Sequence, residues 1–285
     1  MACTVRGKPV VIHPAFYAAG IILVAVIGFL IFYHVDPRVH YAIFGASDDT
    51  NIVNGIPGLS VRPRITEAGK SESLIMYNSR DKNSYMRWVD ALDDFLKEYK
   101  NPLLSHGRRE NVHNCDFRYP PPPGAVCDID LRAFGPCITE NHYNFHRSAP
   151  CVFIKLNTPT GWIPVYYNES KSLPEVMPGY LKSIITAQES SRPDQLNTIW
   201  LSCEGEMPAD AENIGPIQFI PIAGFPGYYT KNVDVAGYLP PIVAVMFQRP
   251  TLGVLINVEC KAWAKNIQHD RDQLMGVVHF ELLID

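Results

Sequence analysis

From Ala15 to Tyr33 the chain reads AFYAAGIILVAVIGFLIFY, 19 residues within a stretch from Pro9 to Val35 that holds no Asp, Glu, Lys or Arg. As an α-helix at ~1.5 Å per residue the run is about 28 Å long, close to the ~30 Å hydrocarbon thickness of a bilayer. It predicts one membrane-spanning helix. A cleaved secretory leader is the alternative, but its apolar core is usually ~7–15 residues and precedes a small-x-small site. Here the run is longer and ends in Phe32-Tyr33-His34-Val35-Asp36-Pro37. Arg6 and Lys8 precede it, and Arg38 is the one Lys or Arg soon after it, a bias that places the N-terminus inside. The expected layout is a short cytoplasmic tail (1–14), a membrane helix (15–33), a stalk (34–70) and a folded extracellular domain (71–285).

Tyr17 and Tyr33 suit the two membrane interfaces. Gly20, Val24 and Gly28 recur every four residues, which gives one helix face narrow enough for another membrane helix to approach closely.

Six cysteines follow the span: Cys115, Cys127, Cys137, Cys151, Cys203 and Cys260; Cys3 alone precedes it. An even set beyond an anchor indicates three disulfides in an oxidising compartment. No C-x-x-C pair occurs, so a zinc cluster is not indicated. Cysteine count does not fix connectivity, but strand period helps with one pair. Ile199, Leu201 and Cys203 share a face, as do Val254, Ile256, Val258 and Cys260, so both cysteines are expected to point inward. Bridged across facing sheets of an immunoglobulin-like sandwich, they leave Cys115 with Cys127 and Cys137 with Cys151.

Tyr85, Trp88, Val89, Leu92, Phe95, Leu96 and Tyr99 fall at helical spacing, with Asp90, Asp93, Asp94 and Lys97 largely opposite. One amphipathic helix lying on a sheet is expected, capped by Asn83 or Ser84 and ended by Asn101-Pro102. Ile56 to Thr66 reads as stalk. Strand-like runs follow at 151–156, 162–167, 198–203, 217–222, 242–247, 253–263 and 276–284, with Pro- and Gly-rich turns that favour antiparallel pairing. Pro120 to Pro123 reads as a stiff spacer. Asn168-Glu169-Ser170 is the one N-x-S/T sequon with a permitted middle residue, a glycan site in an oxidised ectodomain.

Lys+Arg number 25 against Asp+Glu 29 among 285 residues, a formal charge of -4, so no basic footprint points to nucleic acid. Asp128-Ile129-Asp130 has the D-x-D form of metal-dependent glycosyltransferases, but it follows Cys127 in a disulfide loop and no βαβ pattern supports a nucleotide site. His142 and His146 stand four apart without the Glu of H-E-x-x-H, so they read as surface histidines. No G-x-S-x-G elbow, P-loop or G-x-G-x-x-G occurs. No catalytic residue, cofactor or metal is expected.

Several ordered blocks resemble the β subunits of the sodium/potassium-transporting ATPase and their proton/potassium pump relatives. They are Ser84-Tyr85 through Phe95 to Lys100, Cys151 to Asn157, Asn168 to Ser170, Cys203-Glu204-Gly205, Gly237 to Phe247, and Ile256 to Ile267 with its Glu259-Cys260-Lys261-Ala262-Trp263. Departures are the short tail, the short first disulfide loop, the single sequon, one aromatic pair (Phe16-Tyr17) in the span, and a tyrosine motif reduced to Tyr228-Tyr229-Thr230-Lys231. The resemblance implies a non-catalytic, type II plasma-membrane glycoprotein with sequentially paired cysteines. It also implies a catalytic P-type ATPase α subunit as partner, with the lipid bilayer and a small single-span regulatory subunit as further contacts. On this reading the chain supports folding, membrane delivery and stability of α and modulates potassium affinity. Phe16, Tyr17, Gly20, Gly28, Tyr228 and Tyr229 are its expected partner contacts. A cell-adhesion ectodomain and, far behind, a type II glycosyltransferase are the alternatives.

Overall fold

The computed structural model describes residues 52–67, 70–71, 73–101 and 107–285, with residues 4–5, 8–9, 20 and 23–24 nearer the start. Two units separate between Asp49 and Thr50. In the first, Thr4–Val5 pairs antiparallel with Lys8–Pro9, and Gly20, Leu23 and Val24 are helical and exposed. The remainder of the expected span, Phe16, Tyr17 and Gly28 included, lies outside the described residues. Among the described residues no helix is long and apolar enough to cross a membrane.

In the second unit, alternating apolar residues build two sheets whose inner faces share one core. Its strands are β1 (Gly58–Arg62), β2 (Leu74–Tyr77), β3 (Cys151–Asn157), β4 (Thr198–Gly205), β5 (Ile217–Ile220), β6 (Gly224–Pro226), β7 (Ile242–Phe247), β8 (Ile256–Trp263) and β9 (Val277–Ile284). One sheet has the order β6-β4-β8-β9-β2 and the other β5-β7-β3-β1. Within these two sheets pairing is antiparallel except where β2 joins β9 in parallel. Ile256, Val258 and Cys260 are buried while Asn257, Glu259 and Lys261 are half-buried, the period-2 signature of a strand with one face in the core. Phe247 and Phe280 meet edge-to-face across the sheets, ring centres 6.1 Å apart. β3 is buried at all seven positions, since its second face is covered as well: Phe153 packs against Phe134 and Tyr143.

The amphipathic helix is present as α1 (Lys82–Lys100), with Tyr85, Trp88, Val89, Leu92, Leu96 and Tyr99 buried. It docks through Trp88 Nε1, which donates to Met76 O at 3.0 Å, and Tyr99 OH, which donates to Pro240 O at 2.9 Å. The cap is Asp81, whose carboxylate accepts from Asn83 N, rather than Asn83 or Ser84. Ser84 Oγ instead accepts from Asn78 N, one turn outside the helix.

Four further expectations are corrected. The segment 162–167 is irregular rather than a strand; it runs beside residues 264–266, where Asn266 and Lys265 satisfy its backbone polar groups singly and no ladder forms. Residues 58–62, expected within a stalk, form β1, paired along its length with β3. α1 is joined by α2 (Arg108–Asn111), α3 (Gly179–Ser191) and α4 (Pro208–Asn213). α3 was hidden because only Leu181 and Ile185 are buried along it, too few to print a helical period. It covers the outer face of the five-stranded sheet, where Met177, Leu181, Ile185, Leu196, Trp200, Ala223 and Trp263 form a second apolar cluster. Finally, Cys203 and Cys260 pair as expected, but within one sheet: they are cross-strand neighbours on β4 and β8. Both side chains do point into the core; inward direction alone cannot tell an intra-sheet bridge from an inter-sheet one.

Candidate partner interface and glycan site

All six cysteines of the second unit are bridged: Cys115–Cys127, Cys137–Cys151 and Cys203–Cys260. The first bridge closes a loop that sequence reading kept apart from the tyrosine motif, and the fold brings the two together. Gly227–Thr230 is a short 3-10 turn after β6. Phe117 from the loop meets Tyr228 edge-to-face at 5.3 Å, and Tyr228 meets Tyr229 at 4.5 Å. Tyr229 OH donates to Asp128 O at 3.1 Å. A cavity of about 330 Å³ beside them is lined by Cys115, Phe117, Asp128, Tyr228 and Tyr229 among others. Burial pushes both tyrosine hydroxyls above their ordinary range. The pair is half-buried, so it braces the disulfide loop as well as offering aromatic edges to solvent. Gly227 is required here: a Cβ on it would collide with the Tyr166 hydroxyl.

The D-x-D motif is consumed by structure. Asp128 Oδ1 lies 3.1 Å from Arg108 Nη2, and Asp130 accepts from Arg132 N and Nε, capping the turn Leu131–Phe134. Among the described residues no group of three or more His, Cys, Asp or Glu is placed to hold a metal ion. Arg108 is the residue that sequence reading missed. In Gly107-Arg108-Arg109-Glu110 it looks like one charge of a solvated cluster, yet it is wholly buried and also donates to Gly237 O at 3.0 Å. Burial lowers its pKa, and the Asp128 charge opposes that shift. Gly237 sits at φ 88° with the Arg108 backbone where a Cβ would go. A glycine pressed against an arginine backbone was the available signal, invisible without the fold.

Asp93 was also read as exposed. Its Oδ1 accepts from Tyr143 OH at 2.8 Å, Lys100 Nζ at 2.7 Å and Thr139 Oγ1. Burial alone would raise its pKa, but these hydrogen bonds outweigh it and hold the carboxyl below its ordinary value. The network pins the segment Thr139–Arg147 to α1. His142 and His146 lie in that segment, half-buried rather than surface residues, with ring centres 5.4 Å apart.

Asn168 is exposed at the end of the irregular run. Its sequon is held by Ser170 N, which donates to Glu189 Oε2 at 3.2 Å, and by Ser172 Oγ, which donates to Glu169 O at 2.9 Å. The side chain thus stands on an anchored surface loop. Of the expected membrane contacts only Gly20 is described; a Cβ built on it meets nothing within 4 Å.

This disulfide order is the sequential pairing that the sequence resemblance implies. A family profile described as "Sodium / potassium ATPase beta chain" matches residues 11–280. The chain belongs to this family. It is 48% identical over 275 residues to sodium/potassium-transporting ATPase subunit beta-2 of Drosophila melanogaster, covering 96% of this chain and 84% of that one. To subunit beta-1 of the same fly it is 36% identical over 239 residues (82% and 73% covered), and to human subunit beta-2 31% over 249 residues (80% and 72%). The β-chain profile spans the N-terminal apolar run as well as most of the second unit.

Proposed function

We propose that this chain is the non-catalytic β subunit of a sodium/potassium pump, assembled with a catalytic P-type ATPase α subunit that carries ATP hydrolysis and ion binding. The observation that carries the reading is β-chain identity extending over 96% of the chain, at 48% to one relative.

The finer reading is type II: residues 1–14 cytoplasmic, Ala15–Tyr33 across the plasma membrane, and the ectodomain outside carrying a glycan on Asn168. Phe16, Tyr17, Gly20 and Gly28 are proposed to pack on a membrane helix of α, close backbone approach being the main attraction available in lipid. Tyr228 and Tyr229 are proposed to meet an extracellular loop of α. Their support is a half-buried aromatic pair held rigidly by Phe117 and Asp128, the kind of anchor that loses little entropy on binding. Contact that differs between pump conformations would shift their populations and so modulate potassium affinity without touching an ion.

The test is co-expression. An α subunit that stays in the endoplasmic reticulum alone is expected to reach the cell surface with this chain; α delivery unaffected by it would discard the proposal. The adhesion reading is separated by cell–cell binding that persists when no ATPase copurifies.

A further inference from the structure

Asn54-Gly55 is the one Asn-Gly pair in the chain, and it forms the tip of a two-residue hairpin turn ahead of β1. Val53 and Ile56 bridge antiparallel, and Ile56 N donates to Val53 O at 2.9 Å. Asn54 (φ 52°) and Gly55 (φ 73°) both sit in the left-handed region, the requirement of a type I′ turn, which Asn and Gly meet at least cost. Both residues are exposed, and a Cβ built on Gly55 meets nothing within 4 Å. The hydrogen bond that closes the turn is donated by Ile56 and not by Gly55, and water reaches both tip residues. Comparable pairs are held differently. Asn78 is exposed too, but its Oδ1 accepts from Arg80 N at 2.9 Å, and the nitrogen that follows it, Ser79 N, donates to Asp285 O at 2.9 Å. Asn83-Ser84 lies in the first turn of α1.

We propose that Asn54 is a site of spontaneous deamidation, with water as the co-reactant. Gly55 N attacks Asn54 Cγ. The new C–N bond closes a succinimide ring, the Cγ–Nδ2 bond breaks, and ammonia leaves with the proton that Gly55 N gives up. Water then adds to one of the ring carbonyls. Opening at Cγ gives aspartate; opening at the Asn54 main-chain carbonyl gives isoaspartate, in which the backbone runs through the former side chain. Either route exchanges ammonia for water with no change of oxidation state. Glycine shields its nitrogen least, having no side chain. The attack requires the turn to loosen, and a surface turn closed by one hydrogen bond opens at low local cost. The product changes the fold at this point. Isoaspartate adds one carbon to the backbone and a carboxylate to a turn that is matched to two residues with positive φ, so the Val53–Ile56 bridge is lost just ahead of β1. Conversion thus marks the age of a molecule in the short segment between the division at Asp49–Thr50 and β1.

The experiment incubates the full chain, purified in detergent, at mildly alkaline pH, and follows its peptides by mass spectrometry after digestion at acid pH, where amide attack is slow. The peptide holding Asn54 is expected to gain about 1 Da with time, the difference between the ammonia lost and the water gained. In heavy-oxygen water it is expected to take up the label, and protein isoaspartyl methyltransferase is expected to methylate it. The rate should rise with pH, because the attacking amide must shed its proton. The peptide holding Asn78 is expected to stay unchanged over the same period, as is residue 54 in Asn54→Gln, whose longer side chain cannot close a succinimide. No gain at Asn54, over a period that converts a synthetic peptide of the same sequence, would overturn the proposal. A gain without heavy-oxygen uptake, or one as fast at Asn78 as at Asn54, would overturn it too.

Discussion

Arg108 lies wholly out of solvent with its Nη2 3.1 Å from Asp128 Oδ1, while the Asp128 side chain keeps 38% of its surface exposed. The pair joins α2 to the first disulfide loop, and the same arginine holds Gly237 O. Asp128→Ala leaves a buried guanidinium without its counter-charge. The expected cost is about 2–3 kcal/mol, below the ~3–5 of a fully buried pair because water reaches the Asp128 side. Arg108→Met combined with Asp128→Leu is expected to cost less than Asp128→Ala, since no buried charge is then stranded and only the Gly237 carbonyl loses its donor. Thermal unfolding of the purified chain checks both, and a single variant no less stable than the wild type would contradict the burial.

Lys155 on β3 is also buried, and its pKa is pushed down to about 8, mainly by burial and then by Arg62, with Glu98 opposing. Its folded value lies below the ~10.4 of an unfolded lysine, so above about pH 8 the unfolded chain holds more protons. Stability is therefore expected to rise between about pH 8 and 9.5, with a slope of at most ~1.4 kcal/mol per unit. Beyond about pH 10 the trend reverses, because Tyr77 and Tyr99 resist ionisation when folded and ionise when unfolded. Denaturant midpoints across this range should rise in the wild type and stay flat in Lys155→Met; a flat wild-type profile contradicts the assignment.

The Cys203–Cys260 bridge closes a separation of 57 residues against 12 for Cys115–Cys127. Loop entropy gives about 4 kcal/mol for the first and about 3 for the second. The first is also wholly buried between strands, so Cys203→Ala with Cys260→Ala adds a core cavity to the lost constraint. It is expected to destabilise more than Cys115→Ala with Cys127→Ala. The reverse order in matched unfolding experiments would show that the exposed loop matters more than the sheet.

Asn168→Gln is expected to abolish the mass shift produced by glycosidase, and protease outside intact cells should digest the glycosylated bulk while sparing a small N-terminal fragment. Retention of the shift, or protection of the large part, would refute the glycan site or the type II topology respectively.

Much of the fold was written in local pattern. α1 announced itself because seven apolar side chains repeat at helical spacing, and β8 because its inner and outer residues alternate cleanly. What stayed hidden was set by partners distant in sequence. β1 looked like stalk, since it opens on Gly58 and runs straight into Pro63, and only pairing with β3 makes Gly58–Arg62 a strand. Residues 162–167 looked like a strand because of composition, yet residues 264–266 beside them meet their backbone groups singly and form no ladder. At the candidate interface the Tyr228-Tyr229 motif was readable, but its dependence on Phe117 and Asp128 was not. Those residues lie more than ninety positions away, and their contact follows from the disulfide loop folding over the turn.

The central claim is assembly with a P-type ATPase, and affinity purification in mild detergent with mass-spectrometric identification tests it most directly. The wild-type chain is expected to carry a catalytic α subunit in stoichiometric amount. Gly20→Leu with Gly28→Leu should weaken that recovery while glycosylation survives, because leucine still spans a membrane but holds the helices apart. Tyr228→Ala with Tyr229→Ala should weaken it separately, by ~1–2 kcal/mol or more if both rings sit at the interface core. Full recovery of α by the four-site variant would contradict the chosen faces, and absence of any P-type ATPase from the wild-type complex would contradict the function itself.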